Sequence, residues 1–261
     1  MSTHPLIIGH RGACAVAPEN TLLSFARAFD DGADGIEFDV RLASDHVPIC
    51  IHDATLERTA LKPGSVGSLT SKQLASVDVG SWFNRRFPAK ADAAFSAAKI
   101  PTLDETLTLA YARQAKAVYV ELKCSSADEA EGLARATAAV IRHHRAANVV
   151  IVESFTLEAI SAVKRYAPEL RTAALFERTA TRPFIRSANI IALALQHNAD
   201  ELALQRTLIH RSVLKAASEV NLLVVVWTVD DPRWLNRAQD LGLKAIITND
   251  PRAMRERNSA A

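Results

Sequence analysis

Three observations predict a (β/α)8 TIM barrel with a small insertion after its second strand. Short β-branched runs alternate with longer stretches of helical periodicity along the 261 residues. There are eight of each, the number and length that suit such a barrel. Polar residues gather where several of the runs end, which is where barrels of this kind keep their chemistry. The strands are expected at 6–10, 35–40, 117–122, 149–154, 171–176, 190–195, 222–228 and 244–248. Helices are expected at 20–30, 103–115, 128–145, 156–166, 177–188, 210–220, 231–241 and 251–257. The sixth strand is placed at 190–195, although 190–205 holds two apolar runs that periodicity alone does not separate.

Two features interrupt the repeat. After the second strand, Ser44-Asp45-His46 reads as a tight turn and Val47–Ile51 as a return strand, leaving no room for a crossover helix. Such a hairpin sets Asp39 and His52 nearly opposite one another. Residues 54–100 then show Gly, Ser and Pro punctuation, the aromatics Trp82, Phe83 and Phe87, and an Ala-rich stretch, but no barrel period. A long aperiodic segment inside a compact domain is usually functional. The chain is therefore expected to be one catalytic domain, 1–261, with 54–100 as an insertion overhanging the carboxyl-terminal mouth.

Composition narrows the function classes. With 49% hydrophobic and 23% charged residues, the chain has material for a large core and is neither disordered nor fibrous. Thirty-one basic against 29 acidic residues give a net charge of +2, which supplies no global field for nucleic acid or an anionic membrane. Neither nucleic-acid binding nor stable membrane association is expected, while homodimerisation is left open. Cys14, Cys50 and Cys124 form an odd, dispersed trio that suits reduced thiols and small buried fillers. The apolar stretch Leu6-Ile7-Ile8 is too short for a signal segment, and the expectation is a cytoplasmic protein.

The second strand carries the sharpest signal. Side chains alternate faces, so Ile36, Phe38 and Val40 share one face and Glu37 and Asp39 the other. In a barrel the apolar face packs on helices, which turns both acids inward. Adjacent inward carboxylates repel unless a proton or cation sits between them, and oxygen donors suit Mg²⁺ or Ca²⁺. Glu121 and Lys123 repeat the pattern at the end of the third strand, as an ion pair or as chemistry. His10-Arg11-Gly12 ends the first strand: a candidate proton carrier, a bidentate phosphate ligand, and a glycine that allows close backbone approach.

Taken in order, His10-Arg11-Gly12, Pro18-Glu19-Asn20-Thr21, the Glu37/Asp39 strand, His52-Asp53, Thr55–Thr59, Glu121-Leu122-Lys123, Ser154-Phe155 and Trp227-Thr228-Val229 resemble the glycerophosphodiester phosphodiesterase family from residue 7 to about 250. The resemblance implies metal-dependent hydrolysis of a small glycerophosphodiester to sn-glycerol 3-phosphate and an alcohol. By the same resemblance Glu37, Asp39 and Glu121 hold one divalent cation, Mg²⁺ or Ca²⁺, and His10 and His52 are the acid/base pair. Arg11 and Lys123 face the phosphate. Glu19 and Trp227 support substrate binding, Glu19 by orienting Arg11 or a histidine. Ala13–Ala17 depart from the family pattern and leave the alcohol-side pocket open. His4, His46, His143, His144, His197 and His210 match no motif position and read as surface or helix-face residues. Three alternatives stand beside this reading: a phospholipase C- or D-like lipid phosphodiesterase, for which Trp82, Phe83 and Phe87 would form an interfacial patch; a non-catalytic phosphodiester-binding barrel; and a sugar-phosphate isomerase. The last would want a Gly-rich loop that the segment Trp227–Asp250 does not show.

Overall fold

The computed structural model describes residues 4–178 and 186–256. Its strands are β1 (Leu6–His10), β2 (Gly35–Leu42), β3 (Pro48–Cys50), β4 (Ala117–Leu122), β5 (Val150–Ser154), β6 (Arg171–Phe176), β7 (Glu201–Gln205), β8 (Leu223–Trp227) and β9 (Ala245–Thr248). Eight of them run parallel in the order β1-β9-β8-β7-β6-β5-β4-β2, and β1 pairs with β2 to close the barrel. The ninth, β3, pairs antiparallel with β2 and sets Val40 opposite Cys50. Asp39 accepts at its carbonyl from the Ile51 amide at 3.0 Å, so His52 comes one residue past the point facing Asp39.

Alternation sorts the side chains as the sequence implies. Ile36, Phe38 and Val40 join Phe25 and Leu103 in the outer hydrophobic layer, with Phe25 and Phe38 ring centroids 5.3 Å apart. Phe25 comes from α1 (Leu22–Asp30), which starts where Thr21 Oγ1 accepts from the Ser24 amide. Glu37 and Asp39 are left pointing into the barrel, fully buried. The turn after β1 is tight: Gly12 has φ +84°, and a Cβ there would lie 2.4 Å from Ser24 Oγ.

Residues 54–100 hold the short helices α2 (Glu57–Ala60), α3 (Ser71–Leu74) and α4 (Ser81–Arg86) with three single 3₁₀ turns. They close over a small core of Leu56, Val66, Leu74, Val77, Val79 and Ile100 that is continuous with Ile49 and Ile51 of the hairpin. Phe83 is 0% exposed and packs in an aromatic group of the same segment, with ring centroids 4.9 Å from Phe87 and 5.5 Å from Phe95. This corrects the expectation of an interfacial patch built on Trp82, Phe83 and Phe87, since only Phe87 is substantially exposed.

The barrel continues with α5 (Leu103–Ala112), α6 (Ala127–His143), α7 (Leu157–Tyr166), α8 (Ser187–Gln196), α9 (Arg211–Glu219), α10 (Trp234–Asp240) and α11 (Pro251–Glu256). The strand expected at 190–195 is instead helix α8, and the sixth strand is Glu201–Gln205. Ile190, Ile191 and Ala194 are spaced to bury one helical face, whereas Leu202 and Leu204 alternate with Glu201 and Ala203 across a strand. A buried glutamate at its first position disguised the true strand. The helix expected over 177–188 falls mostly on 179–185, outside the described residues. Among the described residues no helix is long and apolar enough to cross a membrane.

Candidate active site

Glu37 and Asp39 from β2 and Glu121 from β4 meet at the carboxyl end of the barrel because β2 and β4 pair in a register that sets Asp39 beside Glu121. One oxygen from each of the three lies within 4.8 Å of the others. Two cations share the cluster. Lys123 Nζ lies 2.6 Å from Glu121 Oε1 and 3.2 Å from Asp39 Oδ1, and Arg11 Nε lies 3.1 Å from Asp39 Oδ2. Asp39 Oδ1 and Arg11 Nε nevertheless lack a hydrogen bond of good geometry. Asp39 Oδ2 accepts from Asn20 Nδ2 at 2.8 Å, and the Arg11 amide donates to Glu37 Oε2 at 3.0 Å.

Three buried carboxylates beside two cations leave negative charge uncompensated. Burial, then Asp39, pushes both Glu37 and Glu121 up to about 8. Asp39 itself is held well below the usual carboxylate range: burial opposes this, but Arg11 and Lys123 flank it and prevail. The donor set is all carboxylate, without thiol or imidazole, and Asp39 keeps an unsatisfied oxygen. Those are the properties of a site for a hard divalent cation, and the residues fit one.

Both histidines are anchored through Nδ1. Asn249 Nδ2 donates to Asp230 Oδ2 at 2.8 Å, which fixes the amide so that its Oδ1 faces His10 Nδ1 at 2.6 Å. Nδ1 of His10 therefore carries the proton, an assignment made from the network, and Nε2 presents its lone pair 3.8 Å from Glu37. His52 Nδ1 lies 2.7 Å from Asp53 Oδ1, and Arg58 Nε holds the other Asp53 oxygen at 2.6 Å. Burial, followed by the charge of Arg11, lowers the His10 pKa and favours its neutral form. His52 is lowered too, first by burial, against the opposing pull of Asp39 and with Arg11 and Lys123 adding to the lowering.

A cavity of about 310 Å³ opens over these groups. His10, Arg11, Glu37, His52, Glu121, Lys123 and Trp227 line it, so seven of the nine sequence-derived candidates come together. Asp39 lies beneath it, fully buried. Glu19 lies behind Arg11 rather than in the cavity, accepting from Arg11 NH1 at 2.9 Å and from Arg58 NH1 at 2.7 Å. Trp227 packs edge-on to Phe155 with centroids 5.5 Å apart, and Ser154 Oγ donates to the Leu122 carbonyl, a structural bond.

Sequence reasoning missed Asn249, the Asp53 to Arg58 strut, and Glu153. Asn249 follows β9, whose neighbour in the closed barrel is β1, so only the closure brings it to His10. Glu153 is the residue of β5 that pairs with Glu121, and an inward acid at a strand's carboxyl end was a readable signal. Burial, then Glu37 and Glu121, raises its pKa well above the ordinary value.

A closed parallel barrel with buried carboxylates, two anchored imidazoles and two cations around one cavity defines an enzyme equipped for acid/base chemistry on an anionic substrate. A profile of the glycerophosphoryl diester phosphodiesterase family matches residues 10–253, and the chain belongs to that family. It is 30% identical over 254 residues to a glycerophosphodiester phosphodiesterase of Bacillus subtilis, covering 94% of this chain and 84% of the relative. A second relative of that name, from Caldanaerobacter subterraneus, is 30% identical over 95% of this chain and 96% of its own length. Among solved structures, a glycerophosphodiester phosphodiesterase from Agrobacterium tumefaciens superposes with a TM-score of 0.78 at 29% identity, covering 97% of this chain and 99% of that one.

Proposed function

We propose that this protein hydrolyses glycerophosphodiesters to sn-glycerol 3-phosphate and an alcohol, with Glu37, Asp39 and Glu121 holding one divalent cation and His10 and His52 as the acid/base pair. The observation that carries this reading is the pair of imidazoles, each tethered at Nδ1, flanking a cavity that also holds the acidic trio and two cations. A binder of phosphodiesters has no use for two proton carriers so held. The substrate class comes from the relatives, which are named for glycerophosphodiesters.

The chemistry follows from what these residues do. Arg11 and Lys123 bind the non-bridging phosphate oxygens, with Glu19 and Arg58 bracing Arg11 from behind. One histidine takes the proton of the glycerol 2-hydroxyl as that oxygen attacks phosphorus. The other gives its proton to the departing alkoxide, and a cyclic phosphate results. Water then opens the ring, with the two histidines exchanging roles and returning to their first protonation states. When bound, Mg²⁺ or Ca²⁺ supplies positive charge that offsets the acids and steadies the phosphorane oxygens. The side chains of 54–100 complete the surroundings of the site: Arg58 reaches both Glu19 and Asp53, and Lys90 Nζ donates to the Ala15 carbonyl at 2.8 Å. We assign this insertion the shaping of the mouth, within a single catalytic domain.

The test is release of sn-glycerol 3-phosphate from a panel including glycerophosphocholine and glycerophosphoethanolamine, with and without chelator. Release that stops with chelator and returns with Mg²⁺ or Ca²⁺ supports the reading and names the ion. Absence of release from every member with either metal present would overturn it.

A further inference from the structure

Glu153 is buried in the active-site cavity with nothing to bond. It is 1% exposed and lines the cavity, yet among the described residues its side chain has no hydrogen-bond partner, and Oε2 is wholly buried without one. The nearby lysines are committed elsewhere, Lys123 to Asp39 and Glu121 and Lys244 to Glu201. Glu153 also stands outside the set of three acids whose oxygens approach within 4.8 Å. An unpaired buried carboxyl costs stability, and such groups persist where function uses them.

Its surroundings say what it meets. The cations that can meet a phosphate, Arg11 and Lys123, stand by Asp39 and Glu121, so the anionic part of a substrate belongs toward them, and Glu153, with no cation paired to it, faces an uncharged part. Phe155, Leu175 and Ile247 supply apolar lining on the same cavity, together with the exposed Glu177 and with Trp227, whose Nε1 is buried without a hydrogen-bond partner. A buried acceptor and a buried donor, both unpartnered and set among these apolar side chains, complement a hydroxyl on a short carbon chain, which donates and accepts.

We infer that Glu153 accepts a hydrogen bond from the terminal hydroxyl of the substrate's glycerol unit, the one that takes no part in the reaction, and thereby selects glycerol diesters over their deoxy analogues. This rests on the function proposed above, in which the 2-hydroxyl is the attacking group.

The experiment compares kcat/KM for glycerophosphocholine and for the phosphocholine diester of propane-1,2-diol, which keeps the 2-hydroxyl and lacks the terminal one. Wild type is expected to prefer the glycerol diester by roughly 10- to 100-fold, the range one buried hydrogen bond to a substrate supplies. Glu153→Gln, which keeps an acceptor, should retain most of that preference. Glu153→Leu should lose it, with the loss falling on the glycerol diester, while calorimetric Mg²⁺ and Ca²⁺ affinities stay at the wild-type value. Removing an unpaired buried acid should leave the Leu variant at least as heat-stable as wild type. A Leu variant with the wild-type preference would overturn the inference, as would a loss of metal affinity parallel to its loss of activity. Wild type that cleaves both diesters equally overturns this inference and leaves the proposed function standing. Wild type that releases no sn-glycerol 3-phosphate overturns both.

Discussion

The two ends of the barrel both bury acids, and they treat them differently. At the amino end, Glu201 accepts from Tyr119 Oη at 3.0 Å and pairs with Lys244, while Asp34 takes the Ile7 amide at 2.9 Å, Lys116 at 2.8 Å and Arg255 at 2.6 Å. Every oxygen there has a partner. At the carboxyl end, Asp39 Oδ1 and Glu153 Oε2 have no hydrogen bond, and Glu37 and Glu121 are pushed up to about 8 by burial and by Asp39. The same residue types serve as struts where their charge is met and as a reactive site where it is left open. Unmet charge, more than acidity or burial, separates the functional end from the structural one.

The sharpest way to break that comparison is to remove a histidine, since His10 and His52 belong to the open end and their loss should not unfold the protein. His10→Ala or His52→Ala should lower kcat/KM by roughly 10²–10⁴-fold, with the melting temperature nearly unchanged. Groups that act as one unit are not additive, so the double variant should be hardly slower than the worse single one. A His52→Ala enzyme of near wild-type rate, with metal and phosphate binding intact, would remove the two-histidine chemistry.

Exchanging one acid at each end is the next largest contrast. Glu121→Gln relieves repulsion, so the metal-free protein should be as stable as wild type or more so, while Mg²⁺ and Ca²⁺ affinity falls by calorimetry. Glu201→Leu strands Lys244 and the Tyr119 hydroxyl and should cost about 3 kcal/mol in denaturant unfolding. Its metal affinity should be unaltered in the folded fraction. If Glu121→Gln destabilised the fold as much as Glu201→Leu does, the acids of the mouth would be struts as well.

Much of this contrast was legible in the sequence where local alternation governs. Ile36, Phe38 and Val40 turn outward, and that alone forces Glu37 and Asp39 inward; the hairpin at 44–51 brings His52 to Asp39 by register. What stayed hidden depends on closure or on a misleading polarity. Asn249 meets His10 only because β9 is next to β1, a contact 239 residues apart in sequence. The β7 strand opens on Glu201, which reads as a surface residue until Lys244 and Tyr119 are seen around it. The insertion's aromatics read as exposed because its short helices have no period long enough to show that Phe83 faces inward.

The open acids also make metal binding depend on pH near neutrality, well above the range in which an ordinary salt-bridged carboxylate titrates. With Glu37 and Glu121 pushed up to about 8, the metal-free protein keeps protons there at neutrality. A cation must displace them, so affinity should rise as pH increases toward that value and fall below it, by at most tenfold per pH unit for each proton released. Calorimetry in buffers of different ionisation enthalpy reads that release directly. Affinity that is flat from pH 6 to 9, with no protons released, would mean the trio is already fully ionised and its charge already met.

The smallest expected effect lies where the insertion touches the open end. Trp82 Nε1 donates to the Val79 carbonyl at 2.9 Å, and its ring lies 6.0 Å from the Arg58 guanidinium. Arg58 in turn holds Asp53, which anchors His52. Trp82→Ala removes a contact of the cation–π kind, worth about 0.5–1 kcal/mol where partly exposed, so its consequence at His52 should be a change of about two- to fivefold in kcat/KM. The Trp82 ring also meets Phe83 at 5.7 Å and Phe87 at 6.5 Å, so the variant loses packing within the insertion, while the barrel does not depend on this residue and should stay folded. Arg58→Lys supplies the control, because a lysine keeps the charge and loses the fork that spans Asp53 and Glu19 at once. It should slow the enzyme more than Trp82→Ala does. If the tryptophan variant were the slower of the two, the insertion would act on the substrate itself, and the strut from Arg58 to His52 would be incidental.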